Sequence, residues 1–386
     1  MNGIPICRAC RTLEASSGEH LFQSAIGGRL EVPGVLCKPC NDRFGQTIDG
    51  DLATALEWFR MMLAIEGDRG QTASIRTVDG DGRHHFLRPG LLPESAETRP
   101  TVVKVDDNTL TFTTHSEKQA RQIVEAYQRK RPDETLIVQE VKVQKIFPTK
   151  TNVPVNFRGE DFFRPAVKTV LVLLAHMGLE SHDALVNAWR YVNGERAEDC
   201  DLRVFWSSEA APWSDDVLGV VSHRVSVRSD SESGLLTADV RYFGDFAFCI
   251  RIGVRLGTSF AVGYGVDPLT GRTAASRDWS GAIGNPNAPD SNAIYDAIER
   301  AFAQVSKAAE PISRRALCER IVNECTEKVL GSRTGGTVNE AEQRAIVECA
   351  RKELAFILQR EDGEEEAPEL LRVLQEAAGK KRPGTV

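Results

Sequence analysis

Four cysteines near the start of the chain stand in two pairs, Cys7 with Cys10 and, after 26 intervening residues, Cys37 with Cys40. Each C-x2-C can close into a tight knuckle that presents two sulfurs to one ion. Four thiolates suit tetrahedral Zn²⁺ at Zn–S distances of about 2.3 Å. A module this short buries too little apolar surface to be stable alone, and a structural zinc contributes on the order of 10–16 kcal/mol in small peptide sites. The spacing therefore predicts a structural zinc. A closed four-sulfur site keeps no open position, so any catalysis in the module must come from other side chains. Between the cysteine pairs lie an acid and a histidine side by side, Glu19 and His20, followed by Gly27-Gly28, and Asn41 directly follows the last cysteine.

Taken in order, C-x2-C, E-H, a glycine pair and C-x2-C-N followed by Phe44-Gly45 make residues 5–52 resemble the HNH endonuclease family, in its zinc-pinned branch. The resemblance implies a ββα-metal site in which a hairpin delivers Glu19 and His20 and a helix beginning near Cys40 delivers Asn41. It further implies that Glu19 and Asn41 ligate a catalytic Mg²⁺ or Mn²⁺ and that His20 is the general base. Those roles suit the side chains. A hard ion takes oxygen ligands and keeps several waters, and a neutral imidazole near pH 7 can accept a proton from an attacking water. Many sites of this family carry an asparagine shortly before the second cysteine pair to orient the histidine; here residues 31–36 read EVPGVL, which leaves that task to a backbone carbonyl. DNA, double-stranded, is the implied substrate, and defence against foreign DNA in bacteria or phage is where this branch is commonly found.

Other residues invite plainer readings. Asp49 reads as a helix N-cap before Leu52, Ala53 and Leu56, although it could lie near the metal. His84 and His85 read as solvated loop residues, and His176 as a helix-end histidine. Cys200, Cys249, Cys318, Cys325 and Cys349 share no metal-ligand spacing and read as buried free thiols. The segments VKVQK, FRGEDFFRP and HRVSVRSD alternate basic with apolar residues, a pattern that suits either a phosphate backbone or a half-exposed strand.

The elements that must position these residues come from periodicity. DLATALEWFRMMLAIEG reads as helix, and the Gly- and Asp-rich stretch from Thr77 to Pro100 as hairpin and loop. Next come a hairpin (TVVKV, a turn at Asp106 to Asn108, TLTFTT), a helix from about Ser116 to Arg131, and a strand TLIVQEVKVQKI. A strongly apolar helix covers Phe162 to Gly178, and a second runs from about Ser181 to Val192. The strands SHRVSVRSD, LTADVRYFG and FAFCIRIGVR follow, and residues 290–360 read as helices broken by GSRTGG.

The fold class is thus α+β, organised as residues 1–68 (the nuclease module), 69–286 (an α+β region) and 287–386 (a helical segment with a charged tail). At 386 residues the chain exceeds what one hydrophobic core usually serves. Hydrophobic residues at 41% and charged residues at 27% exclude fibrous and wholly disordered classes. A net charge of -7 excludes a uniformly basic surface, so phosphate contacts must be local. No apolar run reaches the roughly 18–20 residues of a membrane span, which with the odd cysteine count predicts a reducing, cytoplasmic location and no membrane partner. Two alternatives stand beside the metal-dependent nuclease. One is a non-catalytic, zinc-ribbon-like nucleic-acid-binding module. The other is a latent nuclease switched on by a ligand sensed in the C-terminal region, whether by homo-oligomer formation, a protein partner or a small-molecule activator. No G-x-x-x-x-G-K-[ST] loop is present for an ATP-driven version.

Overall fold

A computed structural model describes residues 5–68, 70, 72–80, 82–89, 93–96, 101–104, 110–114, 117–132, 151–152, 157, 159–179, 185–207, 218–253, 258–276, 291–331 and 338–358. The expected strand over 135–146 and the charged tail lie outside them. The first elements are β1 (Ser17–His20) and β2 (Glu31–Leu36), an antiparallel pair, then α1 (Lys38–Gln46), α2 (Ile48–Ala55) and α3 (Glu57–Met62). This is the strand, strand, helix order expected of the module.

The glycine pair between the two strands has a steric reason. Gly27 takes a positive φ of 95° where a short 3₁₀ turn ends. A side-chain carbon on Gly28 would stand 1.7 Å from the Phe22 carbonyl oxygen. Only glycine lets the chain reverse this tightly.

The chain continues through β3 (Ile75–Asp79), β4 (His84–Leu87), β5 (Pro93–Ser95), β6 (Thr101–Lys104), β7 (Leu110–Thr113), α4 (Glu117–Lys130) and β8 (Thr151–Asn152). Strands β6 and β7 pair as the expected hairpin, and α4 falls where the helical pattern placed it. Strands β3 and β4 form the other hairpin, but His85 departs from the solvated reading. It is buried, and its Nε2 lies 2.8 Å from Asp79 Oδ2. Strand alternation turns His85 inward while the adjacent His84 stays exposed.

Then come α5 (Gly159–His176), α6 (Val186–Val192), β9 (Leu202–Trp206), β10 (His223–Asp230), β11 (Leu235–Tyr242), β12 (Phe246–Gly253), β13 (Phe260–Val266), β14 (Thr273–Ser276), α7 (Ser291–Leu330) and α8 (Glu340–Leu358). Among the described residues β9 to β14 form one antiparallel sheet in the order β14-β13-β10-β11-β12-β9. Its apolar face, carrying Val225, Val227, Leu236, Ala238, Val240, Tyr242, Phe248 and Ile250, packs on α5, whose Phe162 stacks near Phe246 and Phe248.

One continuous core joins the N-terminal strands and helices to α5, α6, this sheet and the first half of α7. Phe22, two residues after β1, sits 5.4 Å from the His223 ring and 6.0 Å from Tyr242. The N-terminal module therefore does not rely on its own apolar surface. A second cluster joins α7 to α8, where Cys325 and Cys349, 5.8 Å apart at Cα, form a disulfide. This corrects the free-thiol reading for that pair, because the helical hairpin brings together two positions that sequence spacing keeps 24 residues apart. No helix among the described residues is long and apolar enough to cross a membrane.

Candidate metal and nuclease centre

The four sulfurs of Cys7, Cys10, Cys37 and Cys40 all lie within 4.8 Å of one another. Cys10 Sγ and Cys37 Sγ are 3.8 Å apart, close to the edge of about 3.8 Å that a tetrahedron with Zn–S bonds of 2.3 Å requires. The first knuckle is closed by Cys7 N–H donating to the Leu13 carbonyl at 2.7 Å and Arg11 N–H donating to the Cys7 carbonyl at 2.9 Å, with Arg11 at φ 60°. The second is the start of α1, with Pro39 in its first turn and Asn41 N–H bonded to the Cys37 carbonyl at 3.0 Å. Asn193, at the end of α6, donates to the Ala9 carbonyl at 2.8 Å and so ties the first knuckle to the rest of the fold.

The electrostatics of the bare sulfurs ask for a cation. Burial and the neighbouring sulfurs push the Cys40 thiol far up. Burial also acts on Cys10, but the hydroxyl and backbone N–H of Thr12 outweigh it and bring that thiol down to about 6. Four thiolates crowded into one buried volume repel one another unless a divalent ion sits among them, so the donor set fits zinc.

Glu19 and His20 end β1. A register shift between Ser17 and Glu19 re-aims the strand at this point, after which Glu19 faces Val32 and His20 faces Glu31. Glu19 is buried at 3% exposure, while His20 is half-buried. Asn41, in the first half of α1, donates its amide to Ser17 Oγ at 2.7 Å and to the Gly18 carbonyl at 2.9 Å. The helix is thereby fastened to β1 immediately before the Glu19-His20 pair. The structure thus brings Glu19, His20 and Asn41 into one hairpin-helix corner beside the cysteine cluster.

Two further residues belong to this corner. Lys168, in the middle of α5 and fully buried, donates through Nζ to Glu19 Oε1 and, at 2.6 Å, to Asp49 Oδ2. Asp49 Oδ1 accepts from Gln23 Nε2 at 2.8 Å. Asp49 is therefore not the helix cap expected of it. Thr47 occupies the cap position of α2, and the Asp49 carboxylate turns toward α5 instead.

Burial alone would drive the proton off Lys168, but Asp49 and Glu19 outweigh it and hold the ammonium above the usual lysine range. Burial pushes the Glu19 carboxyl up, against the pull of Lys168. Glu19 Oε2 and Gln23 Oε1 are buried without a hydrogen-bond partner among the described residues. Lys168 did have a signal in the sequence: it is the one charged residue in the run AVKTVLVLLA, where a buried charge has to be paired.

Residues 6–57 match a family model described as HNH endonuclease. The match spans all four cysteines, Glu19, His20, Asn41 and Asp49, and it ends well before Lys168. No curated protein and no solved structure matches the chain.

Proposed function

We propose, from the HNH endonuclease match over residues 6–57, that this chain is a nuclease whose N-terminal module hydrolyses phosphodiester bonds of DNA. The observation that carries the reading is the corner where Asn41 fastens α1 to β1 at Ser17 and Gly18, next to Glu19 and His20. The donor set fits a hard divalent ion such as Mg²⁺ or Mn²⁺. Lys168 takes one oxygen of Glu19 and leaves the other unpartnered, Asn41 spends its amide nitrogen and keeps its oxygen, and Glu19, Asp49 and Lys168 together retain one net negative charge when all are ionised. Glu19 and Asn41 would hold the ion, which would supply charge stabilisation for the phosphorane and the departing oxygen.

The chain's own residues do the rest. His20, half-buried, accepts the proton of the attacking water. Lys168 acts as a positioning residue: its ammonium fixes the rotamer of Glu19 and orients the second carboxylate oxygen. Cys7, Cys10, Cys37 and Cys40 would hold a zinc that ties together the two knuckles between which β1 and β2 run, and the Glu19-His20 end of β1 would thereby be braced at both sides. A positioned base of this kind contributes about 10²–10⁴-fold to the rate.

The deep burial of Glu19 favours one second reading, a latent nuclease in which α5 must give way before the site is complete. Cleavage of supercoiled plasmid tests the main reading. Purified chain should nick DNA after EDTA treatment only when Mg²⁺ or Mn²⁺ is returned, without added zinc. His20→Ala should lower the rate by about 10²-fold or more at unchanged zinc content and melting temperature. Wild-type chain that binds DNA and never cuts it would sink the reading of a constitutive nuclease.

A further inference from the structure

The face of the large sheet turned away from α5 is rich in arginine. Residues directly opposite in an antiparallel sheet share a face, and the register aligns Arg228, Thr237, Arg251 and Arg203 in one row across β10, β11, β12 and β9. Two rows along the same face, Arg224 stands directly opposite Arg241. Those two are engaged within the fold: Arg241 donates to Asp239 at 2.7 Å, and Arg224 donates to Ser222 Oγ at 2.7 Å.

Arg203 and Arg251 differ from that pair only in having no such acceptor among the described residues. They stand directly opposite each other on adjacent strands, where like charges destabilise the pairing. Neither forms an ion pair among the described residues. Both line a cavity of about 460 Å³, together with Asp201, Ser233, Gly234, Leu235 and Gly253. The Ser233 hydroxyl and the Gly234 N–H are already committed to Asp230, at 2.8 Å and 3.0 Å, so the two guanidinium groups are the donors left to a ligand. Asp201 supplies one negative charge against their two positive ones. A side-chain carbon on Gly253 would lie 1.8 Å from Asp201 Oδ2, so the glycine is what lets Asp201 fold across the end of β12 beside the cavity.

We propose that this cavity is an anion site that takes a phosphate group of a nucleotide, free or within a nucleic-acid strand, on Arg203 and Arg251. Two adjacent planar forks match the oxygens of one phosphate ester, and a bound dianion or diester removes the repulsion that the cross-strand pair otherwise carries. The volume exceeds that of phosphate alone and lies in the range of small-molecule sites, leaving room for the attached nucleoside. The sheet stands between this face and α5, which carries Lys168, so the phosphate held here is not the one at Glu19 and His20. The proposal stands whether or not the chain cuts DNA.

The test uses full-length, zinc-loaded protein without added divalent ion. Binding of AMP is measured by calorimetry and binding of a labelled DNA single strand by fluorescence anisotropy. The Arg203→Gln, Arg251→Gln and double variants are compared with wild type, and Arg228→Gln, in the same row but outside the cavity, is the control. The double variant should bind about tenfold or more weakly, since the charge-assisted hydrogen bonds to the phosphate are lost. Its melting temperature should hold or rise, because a like-charge pair has been removed. Loss confined to AMP assigns a free nucleotide, and loss confined to the strand assigns a nucleic acid. Unchanged affinity for both probes, equal loss with Arg228→Gln, or no binding of either probe to wild type would overturn the proposal.

Discussion

Lys168 Nζ lies 2.6 Å from Asp49 Oδ2, an ion pair that joins the middle of α5 to the first turn of α2 across 119 residues of sequence. The same ammonium binds Glu19 on β1. The N-terminal module is thus completed by a charge that lies outside the region matched by the family model. Its counterions are shared between two parts of the chain.

Lys168→Met should therefore cost far more than a surface charge would. Removing one member of a buried ionic set leaves the others uncompensated, a loss of about 3–5 kcal/mol, whereas Asp49→Asn keeps Glu19 as a partner for Lys168 and should cost less. Urea denaturation of the two variants checks the order. Equal and small losses would show that the pair carries little.

Cys40→Ser should release the zinc, seen as loss of the metal by elemental analysis. The damage should be local. Hydrogen exchange should show loss of protection at the first knuckle and across β1 and β2, while β10 to β12 stay protected, because most of their packing comes from one another and from α5 even though the core is continuous with the module.

His223 makes stability depend on pH. The ring is fully buried, with Nε2–H donating to the Ile26 carbonyl at 2.7 Å and Nδ1 accepting from Phe243 N–H at 3.2 Å, so the neutral form satisfies both nitrogens. Burial lowers its pKa to about 4 from the usual 6.5. Because the folded pKa is depressed, the unfolded chain takes up the proton first. The contribution, roughly 3 kcal/mol, is complete above about pH 6.5 and is lost as the pH falls from there toward 4. Denaturation midpoints at pH 7.5 and pH 5 should differ more for wild type than for His223→Gln. An equal pH dependence in both would show that this ring is not the group responsible.

The features legible in the amino-acid order are those whose meaning is local. Two C-x2-C knuckles each need only a few residues to present their sulfurs, so Cys7, Cys10, Cys37 and Cys40 were legible from spacing, and E-H with C-x2-C-N carried the family resemblance that residues 6–57 bear out. The apolar periodicity of α5 and the alternation of β10, β11 and β12 were likewise plain, since burial on one face writes itself into every turn or every second residue. The long-range pairings emerge only once the chain has packed. Asp49 read as a cap because a lone acid before a helix has a local use, and only the docking of α5 gives it Lys168. His85 looked solvated because its neighbours are Gly, Asp and Arg, and strand pairing turned it to Asp79. Cys325 and Cys349 share no spacing rule, and the α7–α8 hairpin joined them. Arg203 and Arg251 are 48 positions apart and became neighbours only through the register of β9 against β12. In each case the energy of the interaction depends on the distance between side chains, and sequence separation carries no information about that distance until the chain has folded.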